Sequence, residues 1–171
     1  IGAEARTVRL DRDKIVTRRK TEVKEEAVAA APRALDQHIA VLNSEIAPMR
    51  LPAITADFAA AIKGLKSVAS MDDKLHAALA TAKIAADDAA RAIRTNLVTF
   101  AGAAAGFEFL FADLHLLVHK RNDDFGAALH ARIAAHKEAE ARAAEQRRLA
   151  EEAAARAAAE AANKPPAPPV N

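Results

Sequence analysis

Hydrophobic side chains recur three or four positions apart along most of the chain, which is the spacing that places them on one face of an α-helix. The clearest stripe in the first third of the chain is formed by Val28, Ala31, Leu35, Ile39, Leu42 and Ile46. No run of alternating β-branched residues indicates a β-strand. The pattern therefore predicts an all-α protein.

The stripes, the prolines and the turn residues divide the chain into five predicted helices. They are expected near residues 11–47, 55–65, 71–101, 107–121 and 123–162. The connections between these helices are short, and short connections favour antiparallel neighbours. We therefore expect an antiparallel helical bundle.

Single residues mark where the predicted helices begin, break or end. Pro32 is expected to kink or interrupt the first helix, because proline has no backbone N–H to donate. Thr55 and Ser70 are the predicted N-caps of the second and third helices. The segment Gly102–Gly106 predicts a hinge or a break after the third helix.

The last predicted helix changes character along its length. Its apolar stripe fades beyond His136, and 16 of the 32 residues from 131 to 162 are alanine. Pairs of opposite charge at i, i+4, such as Arg148 and Glu152, support a solvated helix there. The predicted organisation is an N-terminal basic segment, a bundle body, a projecting Ala/Glu/Arg-rich helix and a Pro-rich tail, at residues 1–10, 11–136, 137–163 and 164–171.

Composition narrows the kinds of site that the chain can form. Hydrophobic residues make up 51% of the chain, much of it alanine, and aromatic residues only 4%, with no Cys, Trp or Tyr. A chain without cysteine has neither disulfides nor thiolate metal ligands, which fits a reducing compartment. The longest uncharged run, residues 95–107, is too short to span a bilayer, so we expect no membrane span.

Positive charge is concentrated near the N-terminus. The formal net charge is +2, but residues 1–24 contain eight basic and four acidic residues. The predicted nucleic-acid-binding residues are Arg12, Lys14, Arg18, Arg19 and Lys20. These residues spread around the helix without interleaved aromatic residues, so DNA binding through them would be salt-sensitive and independent of sequence. The alternative is a solvated face that Asp11, Asp13 and Glu22 interrupt.

The residues with the most reactive potential are His115 and His119, whose i, i+4 spacing places both rings on one side of a helix. Zinc enzymes of the HExxH type need a glutamate at the position that Leu116 occupies here. The sequence also contains no glycine-rich phosphate loop and no serine in a nucleophile elbow. We therefore predict that the protein is not an enzyme and uses no metal, cofactor or small-molecule substrate.

Two of the apolar stripes are long enough to cover another helix. The stripe that contains Phe107, Phe111 and Leu114 must be buried, in this chain or against another. We predict that the two stripes dock a protein partner or a second copy of the chain, through Leu35, Ile39, Leu42, Ile46, Phe107, Phe111 and Leu114. A homo-oligomer, including one paired as a coiled coil, is one form that this docking can take.

Three segments resemble a known group of sequences. They are DFAAAIKGLKSVASM (Asp57–Met71), LATAKIAADDAARAIRTNL (Leu79–Leu97) and FLFADLHLLVHKRNDDFGAALHARIAAHKEAEA (Phe109–Ala141). They resemble the helical accessory regions of uncharacterised phage and prophage proteins that accompany recombination modules with YqaJ-type exonucleases and RecT-type annealing proteins. The resemblance covers residues 15–145 and matches no catalytic residue of the nucleases. It implies a setting in phage DNA metabolism, in the cytoplasm of a bacterial host.

These features favour a non-catalytic helical interaction or oligomerisation module. We expect it to be accessory to phage DNA recombination or replication, with weak sequence-independent DNA binding. The alternative is a phasin-like amphipathic protein that coats a surface, which alanine-rich helices and the lack of cysteine also suit. Against that alternative, Phe58, Phe107 and Phe111 are typical of a buried core rather than of a wide exposed apolar face.

Overall fold

The computed structural model describes residues 2–163 and contains only helices and turns within that range. The helices are α1 (Gly2–Glu45), α2 (Phe58–Ala61), α3 (Val68–Ala103), α4 (Leu114–Leu117) and α5 (Asn122–Ala162), with a 3-10 turn at Glu108–Leu110. The prediction of an all-α bundle with a long C-terminal helix is confirmed. The predicted Pro-rich tail, residues 164–171, lies outside the described residues.

The bundle encloses two apolar clusters. The larger cluster joins α1, α3 and α5, and Ile93, Phe125 and Leu129 within it are at most 1% exposed. The smaller cluster packs Leu35 of α1 with Phe58 of α2 and with α3. Removing a side chain of this size from water contributes about 1.5–3 kcal/mol. These contacts, more than helix propensity, hold the long helices in place.

Helices α1 and α3, which pack against each other, run in the same direction. His38 of α1 and Asp87 of α3 are joined through Nε2 and Oδ1, 2.8 Å apart. Seven residues further along each helix (38 to 45 and 87 to 94), Arg94 donates to Glu45 at 2.9 Å. The short connections predicted antiparallel neighbours. This pair is parallel because residues 46–67 carry the chain back along the bundle before α3 begins.

Helix α1 is longer than predicted and passes through Pro32 without interruption. It begins at Gly2, whereas the apolar stripe predicted a start near residue 11. The ring of Pro32 is exposed, while Ala31 and Leu35 beside it are buried in the smaller cluster. Those buried contacts hold the helix together across the one hydrogen bond that proline cannot make.

The second and third helices begin at other residues than predicted. Helix α2 is a single turn, and Asp57, not Thr55, caps its start by accepting a backbone N–H at 2.8 Å. The chain then leaves helical geometry at Gly64, whose φ is +80°. Helix α3 begins after Ser67 rather than after Ser70, and the Ser67 side chain makes no capping hydrogen bond.

The helix predicted at residues 107–121 does not form. The chain makes consecutive tight turns instead, in which, for example, the Phe107 N–H donates to the Ala104 carbonyl at 2.8 Å. Its apolar side chains are divided between the core and the solvent, since Phe111 is 3% exposed and Phe109 is 67% exposed. Turns allow the chain to bury the first without the second, and the short helix α4 is the only α-helical turn within this segment.

The break predicted at Gly102–Gly106 is confirmed, because α3 ends at Ala103. Gly106 has a φ of +81°, a left-handed conformation that glycine adopts without the strain that a Cβ atom causes. The chain then turns back, and Ala104, Phe111 and Val118 join the larger apolar cluster.

Two helical arms extend from the bundle. The N-terminal arm (residues 6–22 of α1) and the C-terminal arm (residues 144–162 of α5) consist of exposed residues throughout. The first arm leaves the bundle where Val68, at the start of α3, lies beside α1. The second leaves it beyond His136, whose ring packs on Phe107 past the end of α3. Because α3 has 36 residues, about 54 Å at 1.5 Å per residue, the arms begin at opposite ends of a long helix.

Candidate functional site

The N-terminal arm and the helical turn after it have a basic side and an acidic side. At 3.6 residues per turn, one arc of about 140° contains six of the eight basic residues of this region. This basic side comprises Arg6, Arg9, Arg12, Arg19, Lys20 and Lys24. The acidic side comprises Glu4, Asp11, Glu22, Glu25 and Glu26, with Lys14 and Arg18 among them. Asp13 is the acidic residue that interrupts the basic side.

Ion pairs follow this division of charge. On the acidic side, Lys14 lies 3.9 Å from a carboxylate oxygen of Asp11, and Arg18 lies 3.0 Å from one of Glu22. On the basic side, Arg12 forms no ion pair with any residue between 2 and 163, and neither does Lys20, two helical turns further along. Apart from Asp13 and the contact of Arg19 with Glu22, the basic side is therefore a solvent-facing row of cations that can bind an anion.

The structure divides the predicted nucleic-acid-binding residues into two groups. All five are exposed on α1, but only Arg12, Arg19 and Lys20 lie on the basic side. Arg19 lies at its edge, with its Nη1 3.5 Å from a carboxylate oxygen of Glu22. Sequence reasoning missed Arg6 and Arg9, because the first helix was expected to begin after them. Their spacing from Lys20 would have revealed the basic side if the helix had been extended to Gly2.

The predicted docking stripe lies inside the protein's own core. Its buried members are Leu35, Leu42, Ile46 and Phe111, and its partly buried members are Ile39, Phe107 and Leu114. The prediction that this set docks a partner is therefore corrected. The reason is that the turns after α3 fold back on the bundle, so the chain's own helices cover both stripes.

Asn96 joins three elements in the centre of the molecule and is the buried polar side chain of the described region, at 1% exposure. Its Nδ2 donates to the carbonyl oxygens of Val118 and Lys120 at 2.8 and 2.9 Å. Its Oδ1 accepts from the amide of Asn122 at 2.9 Å. These bonds attach α3 to the end of α4 and to the start of α5. Sequence reasoning passed over Asn96 because it is a polar residue beside the apolar position Leu97.

An ion pair fixes α5 against the turns that precede α4. Arg132 donates to Asp113, with Nη2 and Oδ2 3.0 Å apart, and also to the Leu110 carbonyl at 3.1 Å. The hydrogen bond from Arg132 holds the pKa of Asp113 below its ordinary value of 3.8. The pair therefore stabilises the fold above pH 3.8, and this contribution is lost as the pH falls below 3.8 through the lowered pKa.

The histidine pair does not form a metal site with other residues. His115 and His119 are exposed on either side of the buried Leu117 and Val118. Within residues 2–163, no three His, Cys, Asp or Glu side chains come together in a way that could hold a metal ion. In the same range, no helix is both long enough and apolar enough to cross a membrane.

Comparison with protein-family models, with curated protein sequences and with solved structures gives no match to this chain.

Proposed function

We propose that this chain is a non-catalytic interaction module that binds nucleic acid through the basic side of its N-terminal arm. The observation that supports this most directly is the row of cations on the arm, exposed and largely unpaired on one side of α1. The helical body anchors that arm at one end of α3 and the C-terminal arm at the other. In this arrangement the protein holds nucleic acid at one end and leaves a second surface free at the other.

Binding of this kind acts on the phosphate backbone. Arginine and lysine side chains replace counterions along the phosphates, which supplies affinity without reading the bases. The arm offers no aromatic side chain on which a base can stack. We therefore expect binding that is weak, independent of sequence and steeply dependent on salt.

The proposed setting is phage DNA recombination or replication, in the cytoplasm of a bacterial host. Its support is the resemblance of the segments Asp57–Met71, Leu79–Leu97 and Phe109–Ala141, which form much of the helical body. A phasin-like coating function has less support. On the exposed arm, Leu10 lies on the opposite side of α1 from Ile15, so these apolar residues do not form one adsorbing face.

Fluorescence anisotropy with a labelled DNA duplex of arbitrary sequence tests the binding surface. The matched variants are R12Q/K20Q on the basic side and K14Q/R18Q on the acidic side, because each removes one Arg and one Lys from the same arm. We expect R12Q/K20Q to lower the affinity and to reduce the slope of log K against log salt by about 2. K14Q/R18Q should leave the affinity and the salt slope nearly unchanged.

Two results would contradict the proposal. One is the absence of duplex binding by the unmodified chain at low salt. The other is equal loss in both variants, because that would mean that only net charge matters and that the basic side is not a surface. Light-scattering mass after gel filtration, with and without the duplex, gives the stoichiometry of any complex.

A further inference from the structure

A groove opens between α1 and the start of α3, at the base of the N-terminal arm. It consists of two depressions of about 300 and 250 Å³ that adjoin because Val23 and Val68 line both. Its apolar lining includes Val16, Val23, Ile62, Val68, Met71 and Leu75. On α1 the groove extends over residues 16–27, about 16 Å at 1.5 Å per residue, or three helical turns.

The lining of this groove is apolar and open to solvent. Val16 and Val68 are 45% and 40% exposed, and Met71 is half-buried. The buried side chains of Ile62 and Leu75 support the lining from the smaller apolar cluster. Adjoining apolar side chains that face solvent in this way are a feature of interaction sites on protein surfaces.

Cations flank the apolar lining. Arg19, Lys20 and Lys24 border the groove on the α1 side. Asp72 is the acidic residue among the lining side chains, and its Oδ1 lies 3.3 Å from Nδ1 of His76, one turn later. The first turn of α3 contains no acidic residue and Ser67 does not cap it, so the positive end of the helix dipole adds to the same potential.

We infer that this groove binds an acidic protein segment that contains large apolar side chains such as Leu or Phe. The apolar lining accepts the large side chains, and the three cations on α1 pair with carboxylates beside them. This names the class of protein partner for the interaction module proposed above and rests on that proposal. Nucleic acid matches the groove less well, because aliphatic walls offer no aromatic surface for base stacking.

The test uses the full chain and a fluorescein-labelled peptide, Asp-Glu-Leu-Asp-Asp-Leu-Phe, with a companion peptide in which Leu and Phe are replaced by Ser. The lining variant is V68T/M71Q, which keeps side-chain size and charge, and its control is V98T, at an exposed valine of α3 outside the groove. The cation variant is K24E, and its control is K74E, at an exposed lysine of α3 that does not border the groove.

We expect the unmodified chain to bind the acidic apolar peptide saturably and its serine companion at least about tenfold more weakly. V68T/M71Q should weaken peptide binding by about tenfold because it removes apolar contact. K24E should weaken it at low salt, with a smaller effect at high salt because ions screen the exposed charge. Both control variants should bind the peptide as the unmodified chain does.

Any of four results would overturn the inference. The first is no saturable peptide binding, and the second is equal binding of the serine companion. The third is a V68T/M71Q variant that binds the peptide as tightly as the unmodified chain. The fourth is a dimer of the unmodified chain that V68T/M71Q converts to a monomer, because a second copy would then occupy the groove.

The peptide and duplex experiments can contradict the two proposals independently of each other. Lys20 belongs to both proposed surfaces, but Arg12 does not border the groove, and the lining variant changes only Val68 and Met71. If V68T/M71Q weakened duplex binding as much as R12Q/K20Q, the groove would belong to the nucleic-acid surface and the acidic-segment inference would be wrong. If duplex binding were absent while the peptide still bound, the groove inference would stand without the proposed arm function.

Discussion

At the residue scale, one buried amide determines how the second half of the chain is arranged. A buried polar side chain is tolerated only when its hydrogen bonds are made, because an unpaired donor or acceptor loses its bonds to water without replacement. Asn96 satisfies both ends of its amide, and it satisfies the carbonyls of Val118 and Lys120 at the same time. No other element supplies a donor to those two carbonyls among the described hydrogen bonds.

Replacing Asn96 with alanine should lower the free energy of unfolding by about 2–3 kcal/mol, because the buried Val118 carbonyl then remains unpaired and the part-buried Lys120 carbonyl loses its donor. The matched control is T95A, at the exposed neighbouring residue, which should change it by less than about 0.5 kcal/mol. Urea denaturation followed by far-ultraviolet circular dichroism measures both. Equal stability of N96A and T95A would show that the amide does not hold the three elements together.

The role of Asn96 could not be read from the sequence, for a specific reason. Periodicity identifies a buried position by its apolar character, so the rule correctly selected Ile93 and Leu97 and passed over the asparagine between them. The partners of Asn96 are backbone carbonyls, and these have no sequence signature. Reliance on apolar periodicity also explains why the common side of Arg6, Arg9 and Lys20 was missed. The arm has no apolar stripe, so the helix was not extended over its first residues.

At the scale of elements, helices with a continuous apolar stripe were predicted well and the others were not. Helix α3 was predicted at residues 71–101 and spans Val68–Ala103, because Ala86, Ala90 and Ile93 form a stripe that is buried as expected. Residues 107–121 are about as rich in apolar side chains as α3, but no straight helix could bury them all. The start of α1 was missed because its charged arm has no stripe to signal a helix.

The two glycines at the end of α3 should respond in opposite ways to alanine. Gly106 has a φ of +81°, so G106A should destabilise the protein by about 1–2 kcal/mol through backbone strain. Gly102 is helical, so G102A should stabilise it by about 0.5–1 kcal/mol. At both sites an added Cβ would meet no atom within 4 Å, so steric clash does not complicate the comparison. Thermal unfolding of the two variants checks the signs, and a shift of the same sign in both would contradict this account of the turn.

At the scale of the whole molecule, the relative direction of the helices is set by contacts between residues distant in the sequence. The parallel course of α1 and α3 is visible only in pairs such as His38 with Asp87, which sequence spacing does not predict. That course places the start of α3 beside the N-terminal arm and so forms the groove between them. An antiparallel pair, as the sequence suggested, would have placed the other end of α3 there.

The two arms should open far more readily than the body, because their residues are exposed throughout and only the base of the N-terminal arm, near Val16 and Lys20, lies beside the body. Helices of about this length are marginal in water when nothing packs on them. Amides of residues 6–22 and 144–162 should therefore exchange with deuterium within about tenfold of the rates of an unfolded chain. Amides around Asn96 and Leu129 should exchange at least about a thousandfold more slowly, because they require unfolding of the body.

Hydrogen exchange measured by mass spectrometry at two protein concentrations separates free arms from paired arms. Fast exchange in both arms at both concentrations is the expected outcome, and it would mean that the arms are available to a partner of a different kind. Added DNA duplex should then slow exchange in residues 6–22 while leaving residues 144–162 unchanged, since only the N-terminal arm has the basic side. Protection of either arm that rises with protein concentration in the absence of DNA would contradict this, because a second copy of the chain would then cover the surface that we assign to nucleic acid.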